Sequence, residues 1–233
     1  MARAMQLAEK GLYTTDPNPR VGCVIVRDGE IVGEGWHQRA GEAHAEVIAL
    51  RHAGSRAQGA TAYVTLEPCC HFGRTPPCTD ALINAKVERV VAAMQDPNPK
   101  VSGHGLQQLR DAGIQVEMGL LEAQARALNP GFIKRMQTGR PYVRNKLAMS
   151  LDGRTAMADG TSKWITSEAA RADVQQLRAR SSAILTGVGT ILIDDPSLTV
   201  RLEQDVKQPL RVIVDTYLST PTKAKILQTP GKP

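Results

Sequence analysis

Aromatic side chains are nearly missing from this chain: two phenylalanines, two tryptophans and four tyrosines amount to 3% of its 233 residues. A surface that grips single-stranded nucleic acid stacks successive bases on aromatic rings interleaved with cations, so this scarcity argues against such a partner. Long apolar runs are absent too, none approaching the roughly 18 residues of a membrane-crossing helix. No stretch after Met1 has the layout of a secretory signal. We therefore expect no membrane partner and no targeting segment. Cysteine is sparse, four residues in all, and the spacing suits metal ligands more than a disulfide framework, which points to a reducing cytoplasm.

Positive charge is in modest excess, +6 at pH 7, but it is unevenly spread. Residues 1–139 hold 15 Lys+Arg against 14 Asp+Glu, and residues 140–233 hold 14 against 9. An enzyme that bound a polynucleotide near the cysteines would need its basic groove there, and that half is almost neutral. A small phosphorylated ligand in the second half fits the asymmetry better.

What the chain does have is concentrated between Ala43 and Asp80: A-H-A-E-V, then E-P-C-C-H-F-G-R-T-P-P-C-T-D. His44, Cys69 and Cys78 supply three borderline or soft ligands, and Glu46 supplies a carboxylate that need not be one. A closed structural zinc uses four protein ligands, whereas a catalytic zinc keeps three and leaves a position open. Pro68 and Pro77 precede the two cysteines, and proline is favoured in a first helical turn, where amides and the dipole favour a thiolate. His44 opens a helix expected over residues 43–53, with Val47, Ile48 and Leu50 toward a core. Cys70 is an alternative to Cys69 as ligand, and either Cys70 or His71 is a candidate fourth ligand if the zinc is merely structural. Cys23, inside V-G-C-V-I-V, is expected to be a small buried strand residue.

Taken in order, the chain alternates. A helix over residues 1–12 lacks a preceding cap, which suggests that the natural chain starts earlier. The turn-rich T-T-D-P-N-P-R leads into a hairpin centred on Asp28-Gly29. Asn18, between two prolines, is either a turn residue or a ligand-facing one. Short strands near 62–66, 89–94 and 114–118 alternate with helices near 79–85 and 106–112, and a long helical stretch spans 122–137. That pattern predicts an α/β/α sandwich with about five strands. Thr138-Gly139-Arg140-Pro141 marks a boundary, giving domains over 1–139 and 140–233.

His-x-Glu followed by two Pro-Cys pairs resembles the signature of zinc nucleobase deaminases, in which the metal activates water and the glutamate shuttles protons. The eight residues between Cys69 and Cys78, with G-R-T-P-P-C, resemble more specifically the bifunctional riboflavin-biosynthesis deaminase/reductase family. P-Y-V-R-N-K-L-A-M-S-L-D-G-R, S-K-W-I-T-S, L-R-A-R and A-I-L-T-G-V-G-T-I-L-I-D-D-P-S-L-T-V-R extend the likeness over the whole chain.

The resemblance implies an N-terminal cytidine-deaminase-like α/β/α domain followed by a dihydrofolate-reductase-like α/β domain. It implies Zn2+ on His44, Cys69 and Cys78, with Glu46 as proton shuttle and Asn18 on the pyrimidine. It implies NADPH against Ala148, Trp164, Thr190, Asp194 and Thr216, and a ribosyl phosphate against Ser162, Arg178, Leu198 and Arg201, with Lys146 joining them. Alone, Gly187-x-Gly189 is weak evidence, because a dinucleotide fingerprint would have a third glycine where Leu192 stands. The activity implied is deamination of a pyrimidine phosphate and then reduction of its ribosyl group, in a cytoplasmic homodimer joined through the reductase domain. Competing readings are a deaminase of nucleic acid or a free nucleobase, and a non-enzymatic zinc module. Residues 140–233 offer about four strands, among them 142–148, 183–186 and 211–215, so we expect a truncated reductase and a natural chain that continues well past Pro233.

Overall fold

The hairpin expected at Asp28-Gly29 starts the sheet. In the computed structural model, which describes residues 1–229, strand β1 (Gly22–Arg27) returns as β2 (Glu30–Trp36). Asp28 and Gly29 turn the chain with φ of 51° and 82°, the left-handed pair that a tight two-residue hairpin needs. Three further strands, β3 (Thr61–Val64), β4 (Arg89–Ala92) and β5 (Gln115–Met118), complete a sheet ordered β2-β1-β3-β4-β5. β1 runs antiparallel to β2 and β3, whereas β3, β4 and β5 are parallel. Parallel neighbours need crossovers, and α3 (Cys78–Asn84) and α4 (His104–Asp111) provide them.

Alternation along β1 feeds both faces of the sheet. Cys23 and Ile25 join Val64, Leu82, Val90 and Leu109 on one side, while Val24 meets Ala4 and Leu7 of α1 (Ala2–Glu9) on the other. Cys23 is the buried strand residue expected. Helices therefore cover both faces, and the first unit, Met1–Tyr142, is an α/β/α sandwich.

Helix α2 (Ala45–Ala53) departs from expectation in the face it buries. Leu50 packs against the core as expected, but Val47 and Ile48 are half-exposed, and the fully buried positions are Ala45, Glu46, Ala49 and Ala53. The reason is the closeness of the strand beneath. A β-carbon on Gly33 would lie 2.2 Å from the Ala49 carbonyl oxygen, and one on Gly35 would lie 2.4 Å from that of Ala45. Backbone meets backbone, so only alanine fits that seam, and larger apolar residues are turned to its flanks. Glu46 is carried inward by the same rotation.

The long helix expected near 122–137 is two, α5 (Glu122–Leu128) and α6 (Pro130–Thr138). Pro130 has no N–H to continue the ladder and its ring obstructs the preceding turn, but it suits the first position of a new helix.

The second unit, Val143–Pro233, contains α7 (Glu168–Ala179), β6 (Ala183–Gly187), α8 (Val188–Asp194), β7 (Leu210–Val214) and α9 (Lys225–Gln228). Ser167 caps α7, its hydroxyl accepting from the Ala170 N–H at 3.2 Å. β6 and β7 are parallel, in register from Ala183 with Leu210 to Gly187 with Val214. Ile191, Leu198, Ala224 and Ile226 form the unit's core with Ile184 and Ile213. The expected opening strand over 142–148 does not form: residues 141–150 have no regular structure and are largely exposed. Strand-prone residues become a strand only against a neighbouring ladder, and two of the four strands expected in this unit are present among the described residues.

Candidate metal and catalytic site

Two helix starts and one loop converge. His44 is the N-cap of α2, held with φ of −75° and ψ of 163°, and Cys78 is the first residue of α3 with Pro77 as its N-cap. Cys69, expected at a helix start, lies instead in the irregular segment after β3. The helix that serves its sulfur is α3: the Cys78 N–H points to Cys69 Sγ at 3.4 Å, and the Thr79 N–H donates to the Cys69 carbonyl at 3.1 Å. The ligand atoms of His44, Cys69 and Cys78 all lie within 4.8 Å of one another. Cys70 is outside this group, its Sγ 3.9 Å from the Lys100 carbonyl oxygen.

The geometry selects one imidazole nitrogen. His44 Nδ1 is 3.2 Å from Cys78 Sγ and 3.5 Å from Cys69 Sγ, while Nε2 is 3.4 Å from the Thr75 hydroxyl. Nδ1 thus faces the sulfurs, and Thr75 offers the outer hydrogen bond that commonly orients a metal-binding histidine. Charge is arranged to match. Hydrogen bonding with Cys78 and with His44 holds the Cys69 thiol well below its ordinary range, and the same pairing pushes Cys78 up. Both sulfurs bind a metal as thiolates. An imidazole and two thiolates, three protein donors and not four, suit a catalytic zinc.

Glu46 is 4% exposed. Burial first, and then the negative charge of Cys69, push its carboxyl up to about 7, although His44 and Cys78 act to hold it down. A general acid-base group works best when its pKa lies near the working pH.

Asn18 reaches this site through a residue the sequence reading passed over. His37 is 3% exposed, and its ring packs edge-on against that of His44 with centroids 5.3 Å apart. His37 Nδ1 lies 3.1 Å from the Ala43 carbonyl oxygen, so that nitrogen carries the proton, and Nε2 accepts from Asn18 Nδ2 at 3.0 Å. The Asn18 amide is thereby turned with Oδ1 as its other end. The only hint in the sequence was the position of His37 directly after β2. The loop carrying Asn18 is fastened at its far end, where the Arg20 N–H donates to Asn129 Oδ1 at 2.8 Å and Asn129 Nδ2 donates to the Arg20 carbonyl at 2.9 Å.

In the second unit the candidates are less concentrated. Arg178 is half-buried, donates to the Thr199 carbonyl at 3.1 Å, and has its pKa lowered by burial and by the charge of Arg201. Those two cations, with buried Leu198 beside Thr199, form one group. Trp164 stacks on the Arg171 guanidinium at 4.5 Å, and its neighbour Lys163 pairs with Asp194 at the C-terminal end of α8 at 3.9 Å, whereas Thr190 lies in the first turn of that helix. Lys146 and Ala148 lie on the irregular segment 141–150, and Thr216 is exposed just beyond β7.

A family model for the cytidine and deoxycytidylate deaminase zinc-binding region matches residues 1–94, and one for the RibD C-terminal domain matches residues 141–233. The riboflavin biosynthesis protein RibD of Escherichia coli is 60% identical over 100% of this chain and 66% of its own length; that of Aquifex aeolicus is 52% identical over 100% and 65%. The solved structure of Acinetobacter baumannii RibD superposes with a TM-score of 0.95 at 58% identity, over 98% of this chain and 66% of that one. A Thermotoga maritima diaminohydroxyphosphoribosylaminopyrimidine deaminase/5-amino-6-(5-phosphoribosylamino)uracil reductase gives 0.90 at 44% identity, over 97% and 65%. The chain thus spans slightly under two thirds of the length of the relatives it matches. Among the described residues no helix is long and apolar enough to cross a membrane.

Proposed function

This chain belongs to the RibD family of bifunctional riboflavin-biosynthesis deaminase/reductases, and from that premise we propose that it carries out two steps of riboflavin synthesis. The first is zinc-dependent hydrolytic deamination of 2,5-diamino-6-(5-phosphoribosylamino)pyrimidin-4-one, in residues 1–139. The second is NADPH-dependent reduction of the ribosyl group, giving 5-amino-6-(5-phosphoribitylamino)uracil, in residues 140–233.

The observation that carries the deaminase reading is the convergence of three metal-type donor atoms within 4.8 Å beside a carboxyl at about 7. His44 through Nδ1, Cys69 and Cys78 would hold the metal. Zinc bound there supplies the Lewis acidity that makes water a nucleophile near neutral pH. Glu46 accepts the proton released as water attacks the amidine carbon and returns it to the departing ammonia. The carboxylate takes the proton in the first step and is thereby the acid for the second, so one side chain serves both transfers. Asn18, turned by His37, hydrogen-bonds the pyrimidine.

In the reductase half, Arg178 and Arg201 bind the ribosyl phosphate with Ser162, Leu198 and Lys146. Two guanidinium groups in each other's field are relieved by an anion that takes them bidentately. Ala148, Trp164, Thr190, Asp194 and Thr216 line the cofactor site, and NADPH supplies the hydride that reduces C1 of the opened sugar. A cytoplasmic homodimer joined through this unit fits the exposed apolar side chains Leu185, Leu210 and Val214 of β6 and β7. The deciding experiment is turnover: ammonia release from the pyrimidine phosphate by the zinc-loaded chain, unaffected by excess single-stranded DNA, tRNA or cytidine. Inhibition by a polynucleotide, or release from cytidine instead, would overturn the reading.

A further inference from the structure

Glu67 stands directly before Pro68-Cys69 and is 3% exposed. Both of its oxygens are engaged twice. Oε1 accepts from the N–H groups of Gly105 at 3.0 Å and Leu106 at 3.2 Å, and Oε2 from those of Gly103 at 2.9 Å and Asp96 at 3.1 Å. Its own N–H donates to the Met94 carbonyl at 2.9 Å. One carboxylate therefore ties three things together: the cysteine segment, the first turn of α4, and the connection from β4 to α4. Two glycines make this approach possible. Gly103 sits at φ of +83°, and a β-carbon on Gly105 would fall 2.1 Å from the Pro68 carbonyl oxygen.

The fastened connection belongs to the site's surroundings. Its Lys100 carbonyl meets Cys70 Sγ at 3.9 Å, and the Asp96 carboxyl, 6% exposed, lies close enough to Cys69 for each charge to feel the other. Asn98, two residues on, is oriented by its N–H to Asp96 Oδ1 at 2.8 Å. Residues 95–103 thus form a wall beside the Cys69–Cys70 segment, and its position relative to that segment is set by the carboxylate of Glu67, whose partners are backbone N–H groups.

We propose that Glu67 is a positioning residue for deamination, holding the Asp96–Lys100 wall against the cysteine segment so that substrate is bound in register, while leaving metal binding to His44, Cys69 and Cys78. This rests on the deaminase reading above. The isosteric Glu67→Gln is the sharp probe, because an amide nitrogen put in place of either oxygen faces two N–H donors and can accept from neither. The measurement is steady-state ammonia release from the pyrimidine phosphate by the full chain, with zinc content of the same preparations. Loss of hydrogen bonds to a charged group predicts a KM raised about tenfold to a hundredfold, with kcat within about threefold and zinc unchanged. Gly103→Ala, which keeps the carboxylate but strains one donor, should raise KM in the same sense by less, and it serves if Glu67→Gln does not fold. An unchanged KM in a folded variant overturns the proposal, as does a parallel fall of kcat and zinc. A parent chain that releases no ammonia sinks the deaminase reading and this proposal with it, whereas an active parent with an indifferent variant sinks this proposal alone.

Discussion

In the first unit the candidate side chains are buried and held by neighbours: Glu46 and His37 are 4% and 3% exposed, and His44, Cys69 and Cys78 contact one another. In the second, Trp164 is 70% exposed, and Lys146, Thr190, Asp194, Thr216 and Arg201 are exposed as well. The difference teaches how each chemistry is set up. Proton transfer at a buried carboxyl depends on desolvation and nearby charge, so packing creates the activity. Recognition of a phosphate by arginine needs reach and geometry more than burial. Substitutions in the first unit should therefore strike catalysis or metal content, while those in the second should weaken one binding event and leave deamination alone.

The largest effect should come from Glu46→Gln. The amide keeps the shape and leaves the metal donors untouched but carries no proton, so ammonia release should fall by at least about 10² to 10⁴ at full zinc occupancy. A variant with full zinc that retains a tenth of the parent's rate would remove Glu46 from its role. Next in size, Cys78→Ser should cut zinc content sharply, measured by metal analysis, and Cys70→Ser should barely change it. Equal losses would mean that the metal sits on a different set of donors.

Arg178→Ala and Arg201→Ala probe the other side of the comparison. Each should lower the reductase step by roughly tenfold to a hundredfold, the worth of a charge-assisted hydrogen bond or two. Ammonia release should stay within about twofold. Soluble variants that lose deamination would show the two units are not separable in this way.

The smallest effect concerns pH. Burial, with the charges of Glu67 and Cys69, raises the Asp96 carboxyl from 3.8 to about 6. The native state thus prefers the protonated form, so this group's contribution to stability is fully present below about pH 4 and is lost as pH rises through about 6. The lift corresponds to about 2 to 3 kcal/mol at most. In the metal-free protein, Asp96→Asn should remove that decline, so that its urea midpoint gains on the parent's between about pH 4 and pH 6. A constant difference across that range would show that Asp96 does not titrate there.

Much of the first unit was legible because its signals are local. Asp28-Gly29 specifies a tight hairpin between apolar strands, and His44, Cys69 and Cys78, picked out by residue type and spacing, are the donors that the fold brings within 4.8 Å of one another. The α2 face was read correctly at Leu50 and misread at Val47 and Ile48, because nothing within the helix reveals that Gly33 and Gly35 lie against it. Pro130 was a local break that the run of helix formers from 122 to 137 obscured. In the second unit, residues 142–148 have strand composition without a strand, since a ladder is made by a neighbour and not by the segment itself.

By itself the sequence determined the kind of chemistry available: which donors can bind a metal, that Glu46 stands two residues from His44, and that strands and helices alternate. These follow from side-chain type and short-range backbone preference, which do not depend on the rest of the chain. The tertiary structure alone decided that His44 presents Nδ1 to the sulfurs, that His37 sets the Asn18 amide, and that Glu67 gathers four amides from residues 96–106. Each of these depends on distances between segments far apart in the chain. The lift of Glu46 to about 7 is of the same kind, because burial is a property of everything packed around a group and is written in no single stretch of sequence.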